Sequence, residues 1–263
     1  MQTSNLFISF SNIKGVEFIP DKNYLLNTND VIIYTVYLPI FIGIQHDLAK
    51  FLNDTELDRA KRFFKLKDQI QFIISRAVLK FVLAAHTDLD AKSISLAYHF
   101  NKKPYLASHP WLYFNISHSE DWAVIAISRH NVGIDIEYLT EDFNFTNLLP
   151  DIFDNNEILA IQNAVNKKHA FYTSWTRKEA FVKALGKGID EDFKHIPSLE
   201  GEYSVDSKLL RTASNWQVCS FNLADNYLGA VAFESSPISK NLLLYTLPNT
   251  MKDLMEMIQI RNN

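Results

Sequence analysis

Two short stretches of the chain carry residue types able to hold a metal ion and move a proton. In "GIDIEY", residues 133–138, Asp135 and Glu137 stand two apart just past Gly133, with Ile134 between. On a strand, side chains alternate, so the two carboxylates share one face while Ile134 and Ile136 bury on the other. One or two carboxylates, completed by substrate phosphates and water, are the usual protein setting for Mg²⁺, which keeps octahedral geometry and dehydrates reluctantly. Gly133 removes a side chain where a ligand could approach. The plainer alternative is a half-exposed strand whose acids face water. In "WTRKEAFVKALGKG", residues 175–188, Glu179 and Lys183 lie one helical turn apart, on the face that also carries Trp175. That pair reads either as a surface ion pair contributing roughly 0.2–0.5 kcal/mol, or as a base or metal ligand beside a phosphate clamp.

A third stretch, "NKKPYLASHPWLYFNISHS", residues 101–119, places Lys103 before the stiffening Pro104 and ends on Ser117, His118 and Ser119. Ammonium, hydroxyl and imidazole groups all donate to phosphate oxygens. A histidine closing a strand is also compatible with a structural or surface role. No Gly-x-x-x-x-Gly-Lys-Ser/Thr, His-Glu-x-x-His or Gly-x-Ser-x-Gly pattern occurs, so P-loop, zincin and hydrolase-elbow chemistry lack their usual signatures.

The elements that must position these groups follow from periodicity. Val31–Ile44 reads as buried strand, too short and too interrupted to span a membrane. From Asn53 the pattern is helical: Thr55 and Asp58 suggest a capping box, and Leu57, Ala60, Phe63 and Phe64 an apolar stripe. A second helix is expected over 68–85. Strands are expected at 95–100, 111–116 and 123–128, with "AVIAIS" and "VGIDIE" forming a hairpin through Arg129–Asn131. Helices follow near 156–165 and at 169–185, the latter stopped by Gly186. Strands at 216–221 and 227–233 and a short helix at 249–260 complete the pattern. Residues 1–30 read as a lead-in, with Leu6–Phe10 an edge strand or partly ordered. A long helix followed by strands recurs on both sides of residue 131, a faint internal echo.

At 263 residues, 47% hydrophobic, the chain can fill one large or two small cores. Its formal net charge of −4 argues against a generally basic, nucleic-acid-binding surface. The single cysteine, Cys219, excludes an intramolecular disulfide and zinc sites needing two thiolates. It is compatible with a reducing cytoplasm, and the first residues lack the basic segment of a secretory signal.

Taken in order, "KKPYL…FNISHS…VGIDIE…WTRKEAFVKALGKG" resembles the larger, monomeric class of 4′-phosphopantetheinyl transferases, over roughly residues 55–195. The resemblance implies an α+β fold of two similar α/β halves related by a pseudo-two-fold axis, 1–131 and 132–263, with coenzyme A between them. It implies Mg²⁺-dependent transfer of the phosphopantetheine arm from coenzyme A to a serine of an apo acyl or peptidyl carrier protein, releasing 3′,5′-ADP. A cytoplasmic monomer acting on neither nucleic acid nor membrane is expected. By the same resemblance Asp135, Glu137 and Glu179 match the metal-binding acids, and Glu179 with Lys183 the catalytic pair. His118, with Ser117 beside it, and Lys103 match groups near the coenzyme A phosphates and nucleotide, and Arg59 a phosphate-contacting residue of the first helix. Lys102-Lys103-Pro104 stands where relatives often carry Gly-Lys-Pro, and Glu56 occupies a position where a phosphate-binding residue is usual. Two alternatives stand beside this reading: a non-catalytic coenzyme A- or carrier-binding protein of the same fold, and a different Mg²⁺-dependent phosphoryl-transfer enzyme.

Overall fold

The computed structural model describes residues 3–11, 15–16, 26–210, 212–235 and 241–259. The strands of the first half are β1 (Thr3–Phe10), β2 (Gly15–Val16), β3 (Asp30–Tyr37), β4 (Ala97–Tyr98), β5 (Pro104–Tyr105), β6 (Tyr113–Ser119) and β7 (Trp122–Ser128). Its helices are α1 (Gln45–Ala49), α2 (Asp54–Lys61) and α3 (Leu66–Ala85). The second half contributes β8 (Val132–Tyr138), β9 (Gly201–Asp206), β10 (Trp216–Ala224), β11 (Tyr227–Glu234) and β12 (Asn241–Thr246). Its helices are α4 (Leu149–Ile152), α5 (Asn155–Asn163), α6 (Lys167–Leu185), α7 (Ser207–Leu210) and α8 (Met251–Gln259). Of the expected C-terminal helix, Ile260 lies outside the described residues, as does much of the expected lead-in.

The fold is α+β, built on two five-stranded sheets, β8-β11-β10-β1-β9 and β2-β12-β3-β7-β6. Alternation on the strands makes four layers. Ile32, Tyr34, Val36, Ile125 and Ile127 face α1, α3 and α8, whereas Val31, Ile33, Val124 and Ala126 meet Ile134, Ile136, Val231 and Phe233 between the sheets. The outer face of the other sheet, with Val218, Ala230 and Ala232, packs on α6. No helix among the described residues is long and apolar enough to cross a membrane.

One capping device occurs on both sides of residue 131. In the first half, Asn53 caps α2 in a capping box with Glu56, whose carboxylate meets the buried Lys80 of α3 at 2.6 Å. In the second, Asp154 and Glu157 cap α5, and Glu157 meets the buried Lys178 of α6 at 2.8 Å. Each lysine also donates to backbone carbonyls, Lys80 to Phe51 and Lys178 to Ile196. Such fully partnered charges tolerate burial that lone charges would not.

Several expectations are corrected by packing. The cap of α2 is Asn53–Glu56, two residues earlier than the Thr55–Asp58 pairing, and α2 ends at Lys61, which leaves Phe64 fully exposed rather than on a buried stripe. The Val31–Ile44 strand stops at Tyr37, where Leu38-Pro39 opens a 3₁₀ turn because proline cannot continue the ladder. The 95–100 strand shrinks to Ala97–Tyr98, and the 111–116 strand starts at Tyr113 and runs on to Ser119. β7 and β8 are not a hairpin: β7 is flanked by β3 and β6, and β8 pairs with β11. β1 is not an edge strand, since β10 runs parallel on one side and β9 antiparallel on the other. The strand at 241–246 was not anticipated; it lies parallel to β3.

Candidate functional site

The two sheets meet edge to edge along β6 and β8, the terminal strands of their respective orders. No backbone ladder joins them. Instead Asn115, Ser117 and Ser119, successive residues on one face of β6, reach across. The Ile134 backbone N–H donates to Asn115 Oδ1 at 2.9 Å and that of Tyr138 to Ser119 Oγ at 3.0 Å. Side chains thereby satisfy the free edge of β8, as buried backbone groups require.

The acids sit on the other side of this seam. Gly133, Asp135 and Glu137 face α6, opposite the small Ala232 and Ala230 of β11. The glycine serves that approach rather than a ligand: a Cβ there would lie 2.2 Å from the backbone of both Ala180 and Ala184. α6 begins at an Asn166 cap and ends at Gly186, whose φ of 66° provides the left-handed terminus glycine adopts freely. Along its inner face Trp175, Glu179 and Lys183 follow at helical spacing.

The contacts between strand and helix are specific. Lys183 Nζ donates to Asp135 Oδ1 at 2.5 Å and to Ser117 Oγ at 3.2 Å, and lies 3.8 Å from Glu179 Oε2. Ser117 Oγ donates to the same Asp135 Oδ1 at 2.9 Å. Glu137 is gripped through both oxygens, by Trp175 Nε1 and by Ser119 Oγ, each at 3.2 Å. Asp135 Oδ2 is buried and has no hydrogen-bond partner.

Burial dominates the electrostatics. It pushes the Glu179 carboxyl up to about 7; Lys183 opposes the rise, and the Asp135 and Glu137 charges add to it. Glu137 is raised by burial and by Asp135, against the hydrogen bonds of Trp175 and Ser119. Burial disfavours the Lys183 ammonium, but Asp135 and Glu179 outweigh it and its pKa is raised. Three crowded carboxylates and one cation thus occupy a small volume, and the acids carry surplus negative charge.

The remaining expected residues are distributed around this centre. His118 points from the opposite face of β6, with its pKa lowered by local desolvation and by Lys183. Lys103 Nζ donates to the carbonyls of Val132 and Ala184, at 3.1 and 2.9 Å, so it fastens β8 to the end of α6; burial lowers its pKa to about 8. It also lines a cavity of about 570 Å³ with His99, Pro104, Phe114, Asn131 and Gly186. Arg59 stands over the Phe72 ring and lines a separate cavity of about 580 Å³ with Arg62, Tyr98 and Lys102. Glu56 is consumed by its cap and by Lys80, which accounts for an acid where a phosphate ligand would be usual. The structure therefore brings Asp135, Glu137, Glu179, Lys183 and Ser117 together and leaves Arg59 apart. The roles of Asn115, Ser119 and Trp175 in holding β8 were not anticipated; the alternation in "NISHS" was the signal for the first two.

Two family models describe this chain. One, the 4′-phosphopantetheinyl transferase superfamily, matches residues 131–232, and the other, 4′-phosphopantetheinyl transferase, N-terminal, matches 45–130. The 4′-phosphopantetheinyl transferase HetI of Nostoc sp. is 30% identical over 193 residues, covering 71% of this chain and 80% of that protein. The chain belongs to the 4′-phosphopantetheinyl transferase superfamily. A further relative, 4′-phosphopantetheinyl transferase Sfp of Bacillus subtilis, is 26% identical over 181 residues, 66% of this chain and 80% of its own length. As a 4′-phosphopantetheinyl transferase the protein is an enzyme, and the seam between β8 and α6 is its candidate centre.

Proposed function

We propose that this 4′-phosphopantetheinyl transferase moves the phosphopantetheine arm of coenzyme A onto a serine of an apo acyl or peptidyl carrier protein, releasing 3′,5′-ADP. The observation that carries the site assignment is the meeting of Asp135 and Glu137 on β8 with Glu179 and Lys183 on α6. Two halves, 1–131 and 132–263, would share the work, with β1 and β12 exchanged between them. Action as a cytoplasmic monomer, without nucleic acid or membrane, completes the reading.

Asp135, Glu137 and Glu179 would hold a divalent cation, Mg²⁺ in this reading. Among the described residues no three histidine, cysteine or acidic side chains form a ready metal cage. The donor set nonetheless suits the ion: Asp135 Oδ2 is buried without a partner, and burial, with a smaller contribution from the neighbouring acids, raises Glu137 and Glu179. When bound, the cation would neutralise pyrophosphate charge.

The protein's own groups do the rest. Glu179, a carboxyl held near neutrality, is suited to take the proton of the carrier serine as its oxygen attacks phosphorus. The serine O–P bond forms as the P–O bond to 3′,5′-ADP breaks. Lys183, one turn along α6, neutralises the departing phosphate. In this reading Ser117 and His118 would approach phosphate oxygens from the two faces of β6, and the cavity beside Lys103 would take the nucleotide end.

The deciding experiment incubates the protein with coenzyme A, Mg²⁺ and several apo carrier proteins and measures the carriers' mass. The arm should be added, and EDTA should prevent it. Absence of transfer to every carrier, with coenzyme A bound, would favour the non-catalytic alternative.

A further inference from the structure

Among the described residues, Lys183 is the one cation in ion-pair contact with any of the three acids of the seam. Its Nζ lies 2.5 Å from Asp135 Oδ1 and 3.8 Å from Glu179 Oε2, and it also donates to Ser117 Oγ. Three elements, α6, β6 and β8, thus converge on one ammonium. The Asp135 side chain is 4% exposed and that of Lys183 29%, so solvent ions screen their attraction poorly. The carboxylate oxygens nearby are unequally occupied. Asp135 Oδ1 accepts from both Lys183 and Ser117, and Glu137 is held through both oxygens, whereas Asp135 Oδ2 has no partner.

A divalent cation at these acids would have Asp135 in common with Lys183. Oδ2 is the oxygen open to it, and a cation there would stand beside the ammonium that Oδ1 already holds. Like charges that close repel strongly where water screens them poorly. Lysine can yield where a rigid group could not, because its charge sits on a flexible four-carbon stem. A phosphate oxygen is an equally suitable acceptor for its N–H groups. Lys183 therefore has two anions to choose between, Asp135 and a phosphate of coenzyme A, and only the second choice leaves Asp135 to the metal.

We propose that Lys183 competes with Mg²⁺ for Asp135 and is drawn off by the pyrophosphate of coenzyme A, so that metal and coenzyme A bind cooperatively. This rests on the metal and transferase reading above and adds how the two ligands are coupled. Coupling between ligands is reciprocal: the metal affinity that Lys183 withholds from the protein alone is returned when coenzyme A is present. One side chain thus has two effects of opposite sign. Its charge weakens metal binding by the protein alone, and it supports transfer once the phosphate is in place.

The test compares wild type with Lys183→Met and Lys183→Gln, which remove the charge, and with Lys183→Arg, which keeps it. Mg²⁺ affinity by calorimetry with and without coenzyme A, thermal melting, and transfer to an apo carrier are measured for each. Without coenzyme A the neutral variants should bind Mg²⁺ about fivefold or more tighter than wild type. The gain in Mg²⁺ affinity on adding coenzyme A should shrink by a similar factor, and transfer should fall. Lys183→Arg should stay near wild type in Mg²⁺ affinity. Unchanged or weakened Mg²⁺ binding by the neutral variants overturns the proposal, as does equal tightening in Lys183→Arg. Asp135→Ala, alone and with Lys183→Met, separates the layers of the reading. If Mg²⁺ binding survives it, Asp135 is not the shared ligand and the proposal falls together with the metal assignment. If binding needs Asp135 but the neutral variants are no tighter, the competition alone falls. Absence of transfer by wild type would sink the activity, and the metal affinities would still judge Lys183.

Discussion

Trp175 donates its indole N–H to Glu137 across the gap between α6 and β8, at 3.2 Å. A helix residue thus orients a strand carboxylate, while the Trp175 ring stacks near Phe171 and edges Phe193. Replacing Trp175 by Phe keeps most of that packing and deletes only the donor. Groups that orient metal-binding carboxylates typically matter about 10–100-fold. On the proposed metal-binding role of Glu137, Trp175→Phe should lower Mg²⁺ affinity and transfer by about tenfold while costing about 1 kcal/mol of stability. Metal titration and urea unfolding of the same preparation check both.

Asp135 and Lys183 form a pair whose loss is two effects at once. Asp135→Ala leaves the Lys183 ammonium without its closest anion, and removing one member of a buried pair costs on the order of 3 kcal/mol. The double variant Asp135→Ala/Lys183→Met should regain much of the stability and none of the transfer. Equilibrium unfolding of the full double-mutant cycle separates stability from chemistry.

Gly133→Ala should be among the more damaging small substitutions. Its methyl group would meet backbone, not a flexible side chain, at 2.2 Å. Separating β8 from α6 to admit it should cost about 1–3 kcal/mol and move Glu179 and Lys183 away from Asp135. Denaturant midpoints and kcat should fall together.

Lys103 gives a pH signature. Its folded pKa of about 8 lies below the ordinary lysine value of 10.5. Between these limits the unfolded chain binds more protons than the folded one, so this group's contribution to stability rises with pH. Relative to Lys103→Met, wild type should therefore gain stability from pH 8 to pH 10. Parallel unfolding curves across that range measure the difference.

The sequence made the chemistry legible because its spacing is local. Asp135 and Glu137 share a face by strand alternation, and Trp175, Glu179 and Lys183 by helical repeat, whatever the tertiary partner. The strand pairings were not legible: β8 bonds to β11, about ninety residues away, so proximity to β7 in sequence suggested a hairpin. The Lys103 ammonium could not be read as a backbone clamp either, because its acceptors, the Val132 and Ala184 carbonyls, converge only after α6 docks. Phe64 fits an apolar helical stripe by spacing alone. Only the end of α2 at Lys61 turns it outward.

The crossed placement of β1 and β12 has a consequence for how the molecule comes into being. Leu6–Phe10 pair with Trp216–Ser220, and Asn241–Thr246 pair with Asp30–Thr35. On the ribosome neither sheet is finished when its own half has emerged; an early segment must wait for a late one, and the early half must wait for a strand translated last. A nick at residue 131 would therefore leave two pieces, each missing a strand that the other carries.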